Sequence, residues 1–233
     1  MDISCTEMKV RFISAMLVIL MIQKNNAQDN FSGSMQPQVT LEYKITPTYS
    51  HTNGLEERHF YNKNGKNFWK TQQLDLFHFS QLRILDNQTL ALGLQYRFRE
   101  IFDKKEKDEL RFTEQYAFSK RGYSVRYGHR ARLEQRISDR RTTHRFRYRF
   151  MIDFPLGGLT LDINEIYLAI GSESLLSMAS FIKPEWDQRL LLDFGWFITN
   201  NITIEIGVEH RIENYTRQVK QKLFLNSGIN FSL

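Results

Sequence analysis

The sequence predicts an all-β chain, a transmembrane antiparallel β-barrel of about ten strands with short periplasmic turns and longer extracellular loops. Three observations carry that prediction. Apolar and polar residues alternate with a period of two through most of residues 39–233. Every second connection between the alternating runs is tight, and the others are longer or strongly polar. The N-terminus has the layout of an export signal. No segment of comparable length keeps a helical 3.6-residue period.

The elements follow in chain order. Lys9 and Arg11 precede an apolar run, Phe12 to Ile22, which ends in polar residues and the small Ala27. A basic start, a short apolar core and a small residue at the cleavage point describe a secretory signal peptide, and the run is too short to cross a bilayer as a helix. Met8 offers an alternative start that opens a more ordinary basic segment. The expected division is residues 1–27 as signal peptide, 28–38 as a short periplasmic segment and 39–233 as the barrel. Strands are expected near 39–49, 68–84, 89–101, 109–119, 123–137, 142–155, 159–170, 185–199, 202–214 and 217–233. The apolar set changes face between Leu76 and Phe77, and again between Ile163 and Ile166, which predicts a bulge in each of those strands. Tight turns are expected at Asp86-Asn87, Lys120-Arg121-Gly122, Pro155-Leu156-Gly157-Gly158 and Asn200-Asn201. Loops are expected at 50–67, 102–108, 138–141, 171–184 and 214–217. Aromatic residues such as Phe68, Trp69, Tyr96, Trp186, Trp196 and Phe231 fall near strand ends, where girdles anchor barrel walls.

Composition bounds the alternatives. The chain has 233 residues, 32 Lys and Arg against 26 Asp and Glu, a net charge of +6 and a single cysteine. Cys5 lies in the export segment, so neither a disulfide framework nor a cysteine-built metal site is expected. The mean hydropathy of −0.47 argues against a helical membrane protein only, because alternating charged and apolar residues cancel in any average. A secreted β-sandwich or lipocalin-like barrel is the competing architecture. The expected strands of 11–17 residues are long for it, and the polar face is more charged than it needs.

Asn226, Gly228, Phe231 and Leu233 resemble the C-terminal signal that outer-membrane proteins share and that the barrel-assembly machinery reads. The Arg-x-Arg-x-Arg strand 145–149, Asn164-Glu165 after a glycine turn, Asp187-Gln188-Arg189-Leu190 and Ile204-Glu205-Ile206-Gly207 resemble an outer-membrane family of Bacteroidota, domain of unknown function 2490. That resemblance covers most of the mature chain. It implies a barrel in the outer membrane of a Gram-negative bacterium, and it brings no catalytic residues with it. Outer-membrane lipid, the assembly machinery and periplasmic chaperones are the partners it implies.

If the apolar face meets lipid, the polar face lines the lumen. That places inward a charge network of Arg97, Arg99, Arg126, Arg130, Arg132, Glu134, Arg136, Arg145, Arg147, Arg149, Asp187, Arg189, Asp193, Glu205, Glu209 and Arg211. A barrel this narrow holds side chains or one small ligand rather than an open pore. The first reading is an occluded lumen in which basic and acidic walls pair across the interior, serving a structural or accessory role. The second is a narrow channel or binding site for small anionic solutes. The third and weakest is a rim hydrolase using His51, His59, Glu56 or Glu57 of the first long loop, or His144 and His210 near strand tops, whose spacing marks neither a metal site nor a Ser–His dyad. No cofactor, metal or nucleic-acid partner is expected, since the basic stripe faces inward. Glu114 beside Phe112 and Tyr116, and His129 beside Tyr127, fall on the apolar face. A shifted register, an interfacial depth or a partner protein would each account for them.

Overall fold

The computed structural model describes residues 31–63, 66–139 and 141–233; the expected signal peptide lies outside the described residues. Eleven strands close into one barrel: β1 (Phe31–Thr46), β2 (Tyr49–Lys63), β3 (Lys66–Leu85), β4 (Gln88–Phe98), β5 (Glu109–Arg121), β6 (Arg126–Ser138), β7 (Arg141–Pro155), β8 (Glu165–Ala179), β9 (Ile182–Thr199), β10 (Ile202–Glu213) and β11 (Lys220–Ser232). Neighbours in sequence pair antiparallel, and β1 closes the ring by pairing with β11 in parallel, from Phe31↔Gln221 to Glu42↔Ser232. No described helix is long and apolar enough to cross a membrane, which leaves strand-crossing open.

The pleat sorts the side chains. On β4, Leu90, Leu92, Leu94 and Tyr96 point outward and are exposed, while Ala91, Gly93, Gln95 and Arg97 point into the lumen. On β7, Arg145, Arg147 and Arg149 point inward and Phe146 and Tyr148 outward. Alternation thus gives an apolar outer wall and a charged interior, the reverse of a water-soluble barrel.

The strand count differs from ten because β2 lies within the expected loop 50–67. Its inward set (Ser50, Thr52, Glu56, Arg58) is polar and its outward set mixes Tyr49 and Leu55 with His51, Asn53 and Glu57, so only a weak hydropathy period marks it. The outward histidines are satisfied locally: Asn53 Oδ1 lies 2.9 Å from His78 Nδ1, and Ser80 Oγ bridges His78 and His51 at 3.2 Å each. Residues 31–38, expected as a periplasmic segment, form the first half of β1.

The strand expected at 159–170 is β8, and it runs through residues 165–179 into the expected loop 171–184. Its pattern is masked because Ser172 and Ser174 face outward, where they hydrogen-bond Gln188 at 2.6 and 2.7 Å, while the apolar Leu175 faces inward and is 0% exposed. Neither expected bulge occurs at its place. Leu76↔Leu55 and Phe77↔Gly54 are consecutive pairs, and residues 156–164 form the β7–β8 connection. Phe77 and Phe79 change the apolar face because they point into the lumen, where Phe79 lies over Gly93. A Cβ at Gly93 would occupy the ring's place.

An odd strand number sends the chain ends to opposite rims. Leu233 shares its rim with the turns 47–48, 86–87, 122–125, 156–164 and 200–201; the start of β1 shares the other with 99–108, 180–181 and 214–219. The expected asymmetry of loop length is largely absorbed by strand. The β2–β3, β6–β7 and β8–β9 pairs are each separated by two residues, and the rim that holds the C-terminus carries the nine-residue connection 156–164.

Candidate lumen site

Arginine dominates the lumen because β6 and β7 place it at successive inward positions, Arg130 and Arg132 opposite Arg149 and Arg147. Four guanidinium groups in one patch repel one another, and the neighbouring strands supply the compensation. Glu173 on β8, its side chain 1% exposed, meets Arg147 at 2.8 Å, Arg149 at 3.0 Å, Arg189 at 3.4 Å and Arg130 at 3.7 Å. Arg147 also meets Glu134 at 2.5 Å. Arg189 continues to Glu209 at 3.4 Å, and Glu209 holds Arg211 at 2.5 Å.

This group extends to β1, β2 and β11, and two further groups stand on β3–β4 and β5–β6. Arg211 lies 3.6 Å from the ring centre of the buried Phe224 on β11, and Arg58 on β2 lies over the same ring at 4.9 Å. Gln36 on β1 accepts hydrogen bonds from Arg58 at 3.1 Å and Arg211 at 3.3 Å. Arg97 on β4 makes a two-pronged contact with Asp75 on β3, Nε to Oδ1 at 2.7 Å and Nη2 to Oδ2 at 2.5 Å. Glu109 on β5 takes Arg111 and, at 2.9 Å, Arg136 of β6. All eleven strands contribute to this belt. Arginine suits it because its planar fork engages two carboxylates at once and stays charged.

Every residue of the sequence-derived network except Arg99 lies on a strand with its side chain directed inward, but the roles differ. Arg130, Glu134, Arg147, Arg149, Arg189, Glu209 and Arg211 are joined in the belt's largest group, Arg97 belongs to the Asp75 group and Arg136 to the Glu109 group. Pairing runs within one strand or between strands one or two apart, so the expected meeting of basic and acidic walls across the lumen is replaced by groups of pairs along the wall. Arg126 pairs with Asp153 at 3.0 Å near the C-terminal rim, away from the belt. Arg145 donates to Ser177 at 2.7 Å, and Asp187 accepts the Asn214 N–H at 2.9 Å. Arg132, Asp193 and Glu205 form no ion pair among the described residues. Arg99 sits at the end of β4, where its N–H and that of Glu100 donate to Asp108 at 2.8 and 3.0 Å. Partial burial raises the Asp108 carboxyl, but those backbone donors, the Tyr96 hydroxyl and the Lys107 charge together outweigh it and hold the group below the usual carboxylate range.

Asp75, Glu109, Arg111, Glu173 and Arg58 belong to the belt and are missing from the sequence-derived set. Glu173 and Arg58 fall in segments read as loops. The signal that could have found Glu173 is the period-two series Ala169, Gly171, Glu173, Leu175 continuing β8. Of the assembly-signal residues, Asn226 and Gly228 face the lumen, Phe231 faces outward on the closing strand, and Leu233 N–H donates to Glu42 O at 2.8 Å. The outer-face Glu114 stands in unbroken register between Leu92 and Leu133, so no register shift accounts for it. His129 lies near the C-terminal end of the wall, 2.8 Å from the Tyr148 hydroxyl.

The lumen holds a partly open cavity of about 670 Å³. Thirteen arginine and lysine side chains line it against six carboxylates. Among the described residues, no cluster of His, Cys, Asp and Glu has the form of a metal site. His59 stacks on Trp69 at 4.7 Å and its Nε2 lies 3.1 Å from Glu57 Oε2 on the outer face of β2, whereas Glu56 faces inward and His51 lies farther along the strand, so of the rim candidates for hydrolysis only His59 and Glu57 meet among the described residues.

The model of the family described as protein of unknown function (DUF2490) matches residues 37–222. The chain belongs to that family. The match extends from β1 into β11 and so covers nearly the whole barrel, including every residue of the belt except Gln36 and Phe224. No curated protein and no solved structure shows significant similarity to the chain.

Proposed function

We propose that this chain is an outer-membrane β-barrel whose lumen is closed by the charged belt, with a structural or accessory role rather than that of an open pore. The observation that carries the reading is the inside-out distribution of side chains. Leu92 is 67% exposed, Ile206 64% and Phe194 49%, all on the outer wall, while Glu173, Asp75 and Arg97 are buried within. An apolar wall of this extent is unsuited to water and suited to hydrocarbon, and a closed sheet leaves no unpaired edge there. Trp69 and Trp186 toward one rim and Trp196 and Phe231 toward the other supply an aromatic girdle at each end. In this setting outer-membrane lipid is the partner of the wall, and the assembly machinery and periplasmic chaperones deliver the chain through its closing strand.

Envelope fractionation with gel migration tests the location. The account expects the protein in the outer-membrane fraction, with a compact band in unheated samples that shifts on boiling. A soluble periplasmic protein with no heat-dependent shift would overturn it.

A second reading is favoured by the cationic surplus of the cavity. A lumen lined by more arginines than carboxylates attracts small anions, as a binding site or a narrow constriction.

A further inference from the structure

Several charges that face the cavity have no ion pair among the described residues, Arg58, Arg99, Arg145 and Glu56 among them, and two sets stand on separate parts of the wall. On β6, Arg132 donates to Gln115 Oε1 at 2.5 Å and lies 5.2 Å from the Phe79 ring centre; among the described residues no carboxylate comes within 4 Å of it. Its neighbour Arg130 reaches only Glu173, at 3.7 Å. On β9 and β10 stand two carboxylates without a cation within 4 Å among the described residues. Asp193 makes no hydrogen bond there, and Glu205 accepts the Tyr167 hydroxyl at 2.5 Å and Asn230 Nδ2 at 3.0 Å.

An enclosed guanidinium without a carboxylate and an enclosed carboxylate without a cation are each costly, and they would cancel by meeting. The wall keeps them apart. Asp193 rests against Gly207, its opposite residue on β10, where any side chain would displace the carboxylate. Arg132 is held over Phe79, which itself lies across Gly93. The intervening space, part of the cavity of about 670 Å³, falls within the range of small-molecule sites.

We propose that the lumen cavity binds a small dipolar solute, its carboxylate or phosphate end taken by Arg130 and Arg132 and its ammonium end by Asp193 and Glu205. This narrows the second reading above from anions in general to solutes carrying both charges. It rests on the closed lumen and not on the membrane location, which fractionation tests separately.

Calorimetric titration of the detergent-purified full chain provides the test. The probes are ω-amino acids from glycine to 6-aminohexanoate, with propionate and propylammonium as singly charged controls. One amino-acid length is expected to bind about tenfold or more tightly than either control. Arg132→Gln and Asp193→Asn should each weaken that binding by about tenfold, and Asp193→Asn should not weaken propionate. Neither residue has an ion pair to lose, so both variants should keep the heat-modifiable fold; if one does not, the comparison of probes on the unmodified chain decides alone. Propionate binding as tightly as every amino acid would reduce the cavity to an anion site and overturn the dipolar assignment. Binding by none of the probes would overturn the site altogether.

Discussion

Glu173→Gln removes one negative charge from the most heavily paired position in the lumen while keeping its volume. Four arginines approach that carboxylate within 3.7 Å. They do not suffer equally. Arg147 retains Glu134 and Arg189 retains Glu209, whereas Arg149 and Arg130 lose the one carboxylate each has within 4 Å among the described residues. A buried charge that loses its partner costs about 3–5 kcal/mol, and Arg149, at 3.0 Å, carries most of that cost because Arg130 is farther away. The expected loss is therefore about 3–5 kcal/mol of folding free energy rather than four separate penalties, since groups sharing one partner are not additive. Urea unfolding of the refolded barrel in lipid vesicles, followed by fluorescence of Trp69, Trp186 and Trp196, measures it as a fall in the midpoint at constant slope. Combining Glu173→Gln with Arg149→Gln should recover part of the loss, because the orphaned charge is removed with its partner. A single variant within about 1 kcal/mol of the parent would mean that water or mobile ions satisfy these arginines, and the belt would not be a structural unit.

Three other perturbations separate parts of the account. Gly207→Ala places a Cβ against the Asp193 carboxylate and 2.8 Å from Leu192 O, and should cost about 1–3 kcal/mol in the same unfolding assay. A cost below that range would mean that both the Asp193 side chain and the backbone at Leu192 have room to move. Leu92→Arg puts a charge on the outer wall and should destabilise the barrel in bilayers by about 2–4 kcal/mol; a neutral or solubilising effect would place that wall in water. The parallel β1–β11 seam puts the chain ends at opposite rims. With the C-terminus periplasmic, a thiol label at Ser32→Cys should react on intact cells and one at Ser232→Cys should not; equal behaviour of the two sites would contradict the eleven-strand closure.

Much of the barrel wall was legible because alternation is a direct record of which face each residue takes. β4, β7, β9 and β10 carry apolar residues on one face and charge on the other, and their inward residues follow from that pattern alone. Legibility failed where a wall residue breaks the code for a local reason. β2 reads as a loop because His51 and Asn53 face outward and satisfy one another through His78 and Ser80. The second half of β8 reads as a loop because Ser172 and Ser174 face outward onto Gln188 while Leu175 turns inward. Those two omissions removed Arg58 and Glu173 from the candidate site, and with Glu173 went the hub of the network. They also set the strand count, since one missed strand changes an odd barrel into an even one and moves the N-terminus to the other rim. The pairing scheme was not legible either. Alternation reports the face of a strand and not which neighbour a long guanidinium reaches, so pairs along the wall and a bridge across the lumen leave the same sequence pattern.

Single-channel conductance in a planar bilayer tests the closed lumen most directly, with insertion checked by heat-modifiable migration of the same preparation. The belt touches all eleven strands, and the account predicts a folded, inserted barrel with no steady conductance. Stable, anion-selective current steps from that preparation would contradict closure and make the belt arginines the lining of a pore.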